Sequence, residues 1–240
     1  MMSQIAQIHN LELVRTAAER LAGRFAGLPG MAALYGPAGY GKTTAALAIA
    51  NENRAYFVQM RSAWRCKALL EKVLIEMEVK NPRGTVPQLL DQVCEQLATS
   101  NRMLIIDEFD YCTRNDSLIE LVRDIYEGSQ ATLLLLGEEM LPQKLKRWER
   151  FHGRILSWIP AQPVSLADAG ALVDIYCPGV RVAGDLLEHL VKMAAGSVRR
   201  VSVNLAAIHE TASVEGWDSV DRATWGERPV YTGEAPRRAG

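Results

Sequence analysis

The sequence predicts an α/β three-layer sandwich, a parallel sheet with helices on both faces, followed by a small helical unit. Three observations carry this. Short apolar runs at 31–35, 55–59, 103–106, 131–136 and 155–163 alternate with segments of helical periodicity, and strands separated by helices pair in parallel under two-sided cover. The first run leads into a glycine-rich stretch, Gly36-Pro37-Ala38-Gly39-Tyr40-Gly41-Lys42-Thr43, after which a helix opens. From Ser165 onward the strand signal stops and only helical patterns remain.

The elements follow in order. Asn10 reads as the N-cap of a helix over 11–25, with Leu11, Val14, Ala18 and Leu21 at helical spacing and Gly27, Pro29 and Gly30 ending it. The strand at 31–35, the glycine-rich loop and a helix from Thr43 come next. Helices are expected at 64–77, where Leu69, Leu70, Val73 and Leu74 share a face, and at 86–97, with a polar loop at 80–85 between them. Further helices fall at 117–126 and, strongly basic, at 143–151. The later helices are 166–176, 183–195, 198–212 and 219–225, and 226–240 reads as a loose tail rich in Gly, Pro and Arg. The expected organisation is thus an N-terminal helical segment (1–30), an α/β domain (31–163), a helical lid (164–225) and a flexible tail (226–240).

With 240 residues, 48% of them hydrophobic, the chain can bury a sizeable core. The net charge of −1 rules out a globally basic nucleic-acid binder but leaves room for local basic patches. Cys66, Cys94, Cys112 and Cys177 form no C-x-x-C pair, and the four histidines show no ligand spacing, so a zinc or dithiol site is not expected. No signal-peptide core or membrane-length apolar run is visible, so a soluble, cytoplasmic protein without membrane contact is expected.

The loop fits G-x-x-x-x-G-K-[ST] without a mismatch. A strand feeding such a loop and a helix aims backbone N–H groups at an anion, and the helix dipole adds to the pull. Gly36 through Thr43, with Thr44 behind them, are therefore the expected ATP phosphate cradle, Lys42 reaching the outer phosphates and the Thr43 hydroxyl ligating Mg²⁺. Met103-Leu104-Ile105-Ile106-Asp107-Glu108 is an apolar strand ending in two acids. Asp107 is assigned to the Mg²⁺ shell and Glu108 to polarising the water that attacks the terminal phosphate.

These motifs, their order and the helical lid resemble the AAA+ ATPases that serve DNA transposition, of the phage Mu B and TnsC types. The resemblance runs from about Leu21 to about Ala212. It includes GPAGYGKTTAA from Gly36 and LIIDEFD from Leu104, which many ATPases share, and the more specific LLLLGEEM from Leu133, RFHGRI from Arg150 and GSVRRVSVNLAAIH from Gly196. It implies a polar sensor at Glu138, where the family carries Asn or Thr. A carboxylate there repels the terminal phosphate unless protonated or paired, so slow hydrolysis, stimulated by DNA and a partner, is expected. It also implies a second sensor at Arg199 in Gly196-Ser197-Val198-Arg199, and an arginine finger acting in trans at Arg154, with Arg147 and Arg150 as rivals. About thirty residues precede the first strand, too few for the extra N-terminal helix-turn-helix domain of the Mu B type.

The implied function is ATP-dependent, head-to-tail assembly into helical filaments on duplex DNA, capture of that DNA as target and activation of a DDE transposase. DNA would meet Arg61, Arg65 and Lys67 after the second strand and Lys80 and Arg83 in the 80–85 loop, through phosphates rather than bases. Lys144, Lys146 and Arg147 are assigned to subunit contact. A helicase-loader or secretion-type ATPase shares the core motifs, and an ATP-gated protein-interaction module without DNA remains an alternative. A small-molecule kinase fits less well, for want of an arginine-rich lid close behind the loop.

Overall fold

A computed structural model describes residues 6–234. The chain divides into two compact units: Leu13–Pro37 with Lys42–Ala161, and Met1–Glu12 with Ala38–Gly41 and Gln162–Gly240.

The first unit is built on five parallel strands, β1 (Met31–Tyr35), β2 (Tyr56–Gln59), β3 (Leu104–Asp107), β4 (Leu133–Gly137) and β5 (Ile155–Pro160), in the order β2-β3-β4-β1-β5. Side chains alternate between the sheet faces. Leu133 and Leu135 therefore join the cluster formed with α3 (Cys66–Glu76), α4 (Val86–Ser100) and α5 (Asp116–Ser129). Leu134 and Leu136 are just as buried but lie outside that cluster. Two-sided burial is why β4 reads as an unbroken leucine run. α2 (Lys42–Asn53) packs on β2 and β3, and Arg15 of α1 (His9–Ala22) pairs with Glu52 of α2 at 2.8 Å.

The sheet order reverses beside β1. The chain steps from β1 out to β2, returns through β3 and β4, and then crosses β1 to β5. Open parallel sheets bind ligands outside the carboxyl ends of strands at such a reversal. Here those ends carry the glycine-rich loop after β1, Asp107 at the end of β3 and Glu138 after β4.

Two expectations for this unit change. A 3₁₀ segment, Phe109–Arg114, follows β3 where no element is expected. The single basic helix at 143–151 is two pieces, α6 (Leu141–Leu145) and α7 (Glu149–His152). Trp148 breaks it at φ −108°, ψ 79°. In an unbroken helix Phe151 would point well away from the face that buries Leu145, six residues earlier. The break returns Phe151 to the core, stacked on Phe109 with centroids 5.7 Å apart.

In the second unit, α8 (Leu166–Tyr176), α9 (Gly184–Ala194) and α10 (Val198–Glu215) pack together, and α11 (Arg222–Trp225) lies on α9. α8 starts on a capping box in which the Ser165 and Asp168 side chains serve each other's backbone N–H. The helix-only expectation is corrected by a short parallel pair, β6 (Arg181–Val182) with β7 (Ser219–Val220). Asn10 is no cap: it lies inside α1, 3% exposed. Asp168 of α8 takes over at the helix start, accepting from the His9 N–H at 2.6 Å. The segment after α11 folds back on α10. Buried Asn204 exchanges two hydrogen bonds with the Tyr231 backbone, at 2.7 and 3.0 Å. The rest of the expected tail, 235–240, lies outside the described residues.

Candidate functional site

The glycine-rich loop takes a backbone that only glycine adopts without strain at two points, Gly39 at φ +85° and Gly41 at φ +83°. A Cβ on Gly39 would also meet the Ser197 hydroxyl at 2.6 Å. The loop tip, Ala38–Gly41, clusters with the second unit. There the Arg199 N–H, in the first turn of α10, donates to the Gly39 carbonyl at 3.2 Å. Arg199 therefore stands at the loop by its backbone.

At the carboxyl edge of the sheet, the Lys42 ammonium donates to the carbonyls of Gly36 (2.7 Å) and Pro37 (2.9 Å). Burial lowers its pKa, against the pull of Asp107, Glu108, Asp110 and Glu138, which raises it. A half-buried cation facing four carboxylates is matched to a polyanion that brings its own divalent metal. The Thr43 hydroxyl donates to Asp107 Oδ2 at 2.8 Å, and Gln59 Nε2 donates to the same oxygen at 3.2 Å. The Glu108 N–H donates to Asp107 Oδ1 at 2.8 Å. Strand register puts Gln59 directly beside Asp107. A hydroxyl and one fixed carboxylate are the donor set Mg²⁺ takes when substrate phosphates and water complete its shell, so the residues present fit both ATP and Mg²⁺.

Glu108 sits in the left-handed region, φ 54° and ψ 39°, between β3 and the 3₁₀ segment. Such a conformation costs roughly 1–3 kcal/mol and persists only where surroundings fix it. Here its N–H is held by Asp107 and its carbonyl by the Tyr111 N–H at 3.0 Å. Its pKa is raised, first by burial and then by Asp107 and Glu138, with Lys42 opposing. A carboxylate of raised basicity can accept a proton from water.

Glu138 is not an isolated negative charge. Lys144 of α6 lies 3.5 Å from its carboxylate and 2.6 Å from Asp110 Oδ1, and the Glu138 N–H donates to Asp110 Oδ2 at 2.6 Å. The bond to Asp110 is the main cause of the raised Lys144 pKa. Lys144, expected at a subunit contact, also pairs with this cluster within the chain. Asp110 is buried, so removing its cation leaves a charged acceptor short of a partner, at a cost of about 1–3 kcal/mol. Lys144→Ala is expected to lower the thermal midpoint by several degrees. An unchanged melt would show that the pair contributes nothing.

The three arginines around α7 differ. Arg147 pairs with Asp116 and stacks on Trp148 at 3.9 Å. Arg154 donates to Glu127 at 2.9 Å with both side chains over 40% exposed. Arg150 is exposed and has no protein partner among the described residues.

The basic residues expected at DNA form two groups, one at each end of α3. Arg61 lies 5.9 Å from the Trp64 ring centroid, Arg65 donates to the Trp64 carbonyl, and Lys67 pairs with Glu71 at 3.8 Å. Lys80 and Arg83 are exposed in the loop before α4. The 11 residues of α3 separate the groups by about 16 Å.

Sequence reasoning missed Gln59 and Asp110, and singled out Lys144 only for subunit contact. Gln59 ends an expected strand, a position that sequence alone could have flagged. Asp110 is one acid of three in Asp107-Glu108-Phe109-Asp110, and nothing local shows which turns inward. Among the described residues no helix is long and apolar enough to cross a membrane.

Residues 27–145 match the AAA domain family. The fold is similar to that of the Aeropyrum pernix ORC2 protein, solved in ADPNP–ADP complexes, with a TM-score of 0.66 and 19% identity over 92% of this chain and 68% of that one. It is similar to the Aeropyrum pernix ORC1 protein in complex with DNA (TM-score 0.65, 20% identity, 92% of this chain, 64% of that one). Cdc6p from Pyrobaculum aerophilum gives 0.66 and 17%, over 92% of this chain and 66% of that one. The chain thus spans about two thirds of the length of each of these proteins. No curated protein matches the sequence.

Proposed function

We propose that this chain, which carries an AAA domain on a P-loop AAA+ fold, is an ATPase that assembles on duplex DNA when ATP is bound. The observation that carries the reading is the meeting of Lys42, Thr43 and Asp107 at the carboxyl ends of β1 and β3. Gly36, Pro37, Ala38, Gly39, Tyr40, Gly41, Lys42, Thr43 and Thr44 hold the phosphates, and Thr43 and Asp107 hold Mg²⁺. The metal, when bound, offsets phosphate charge. Glu108 orients the attacking water and takes its proton. Glu138, paired with Lys144, stands where the terminal phosphate is read, and the resemblance to transposition ATPases gives Arg199 the role of second sensor.

The DNA half of the proposal rests on exposed basic side chains at both ends of α3 and on the resemblance to transposition ATPases. A fold neighbour solved in complex with DNA is consistent with it. With a net charge of −1, a single copy binds weakly and many copies bind through avidity. Head-to-tail contacts that do not close produce a filament, which then captures target DNA and activates a DDE transposase.

The test is electron microscopy with a non-hydrolysable ATP analogue, with and without duplex DNA of random sequence. Filaments or stacked rings that need both are expected. Assembly indifferent to DNA would favour an ATP-gated protein-interaction module. The double variant Lys80→Ala, Arg83→Ala is expected to weaken DNA binding uniformly across sequences. It should also flatten the slope of log K against log salt by about 2, because each lost phosphate contact removes about 0.9. A sequence-selective loss, or an unchanged slope, counts against these contacts.

A further inference from the structure

We propose that Asn10 is a positioning residue that fixes the phosphate loop in its anion-binding form; the proposal rests on the P-loop reading above. The Asn10 side chain is 3% exposed and fully used. Its Nδ2 donates to the Tyr40 carbonyl and to the Gln162 carbonyl, both at 2.8 Å, and its Oδ1 accepts from the Gln162 N–H at 2.7 Å. Both amide protons and the oxygen have partners, which no other side chain of this size can reproduce.

The Tyr40 contact has a consequence set by peptide geometry. In a planar trans peptide the C=O of one residue and the N–H of the next point in opposite directions. Holding the Tyr40 carbonyl therefore aims the Gly41 N–H. One step earlier, the Arg199 N–H and the Ser197 hydroxyl hold the Gly39 carbonyl, at 3.2 and 3.5 Å, which aims the Tyr40 N–H. Two successive loop carbonyls are thus gripped from outside, one by a side chain of α1 and one by the start of α10. Among the described residues the Gly41 N–H has no protein acceptor, whereas the Tyr40 N–H closes a turn over residues 38 and 39 toward the Pro37 carbonyl. The Gly41 N–H continues into the first N–H groups of α2, which have no acceptor within the helix, and such a run of N–H groups forms an anion cradle. Gly41, at φ +83°, has many alternative conformations open to it when unliganded, so a clamp that selects one removes an ordering cost from binding.

The position also links three segments far apart in sequence: α1, the loop tip, and Gln162 just after β5. A substitution there can act on binding or merely on packing, and the two must be separated. Asn10→Asp keeps the shape and the acceptor for Gln162 but turns a charged oxygen on the Tyr40 carbonyl. Asn10→Leu removes every hydrogen bond. Asp168→Ala is the packing control: it removes the acceptor of the His9 N–H on the same helix without touching the loop.

The experiment is an ADP titration by calorimetry on the whole chain, with affinities corrected for the folded fraction seen by circular dichroism. Asn10→Asp and Asn10→Leu are each expected to weaken ADP at least tenfold, while Asp168→Ala stays within twofold of wild type. The proposal is overturned if either Asn10 variant, once folded, binds within twofold of wild type, or if Asp168→Ala weakens ADP as much as they do. Lys42→Ala keeps the failures apart. If wild type binds no ADP, or Lys42→Ala binds as wild type does, the P-loop reading fails. If Lys42→Ala abolishes binding while the Asn10 variants retain it, only the role of Asn10 fails.

Discussion

Glu108→Gln is expected to retain ATP binding and to lower the hydrolysis rate by roughly 10²–10⁴-fold, the usual contribution of a positioned general base. The substitution keeps the size and the hydrogen-bonding oxygen of the side chain and removes only its ability to take a proton. The surroundings make the separation clean. The backbone of Glu108 is pinned at both ends, by Asp107 Oδ1 and by the Tyr111 N–H, so the left-handed turn is held by groups the substitution leaves alone. The contacts that organise Lys42, Thr43 and Asp107 do not use the Glu108 side chain. Burial and the neighbouring acids already disfavour a charge at this position, so a neutral amide relieves repulsion and ATP affinity should hold or rise. If assembly needs bound ATP and disassembly needs its hydrolysis, the variant should remain on DNA after free ATP is removed, when wild type has dissociated. Single-turnover kinetics and ATP titration test the two halves. A variant that loses ATP binding would show that Glu108 belongs to the binding shell, and one that hydrolyses at the wild-type rate would remove it from the mechanism.

The parts of this fold that were legible in the sequence are those whose causes are local. β1 occupies 31–35 as expected because an apolar run there lies between Gly30 and a glycine-rich loop. α8 occupies 166–176 because Ser165 and Asp168 form a capping box at its start. The α/β class was legible for the same reason, since the central strands β1, β3 and β4 are apolar runs buried on both faces. What was not legible depends on partners distant in sequence. Asn10 looks like a helix cap because asparagine before an apolar periodicity usually is one. Its actual partners lie 30 and 152 residues away, and a buried bonding set overrides a cap preference. The break at Trp148 is dictated by Phe109, which calls Phe151 into the core. Glu138 could be read only as a lone carboxylate until the fold placed Lys144, six residues on, between it and Asp110.

Arg154→Ala is expected to leave ATP binding intact and to reduce DNA-stimulated hydrolysis by roughly 10³–10⁵-fold, the contribution of an arginine supplied in trans. The in-chain pair with Glu127 does not argue otherwise. An exposed ion pair contributes about 0–1 kcal/mol, whereas such a rate factor corresponds to roughly 4–7 kcal/mol of transition-state stabilisation. An assembling neighbour can therefore draw the guanidinium away at small cost. Among the described residues Arg150 has no pair to break, but it stands on the four-residue α7 and not on a strand. Arg154 enters β5, and its carbonyl accepts from the Met31 N–H at 3.2 Å, one strand away in the sheet's own ladder. A charge that must be placed within a fraction of an ångström is better carried by that rigid base. Arg150→Ala should accordingly cost less than tenfold. Mixing supplies the decisive comparison: Lys42→Ala and Arg154→Ala proteins, each inactive alone, should recover part of the activity together, because a Lys42→Ala subunit still offers its arginine to a neighbour with an intact phosphate loop. Absence of recovery in mixtures that still form filaments would mean that the arginine acts within its own chain or not at all. A larger loss from Arg150→Ala than from Arg154→Ala would move the finger to α7.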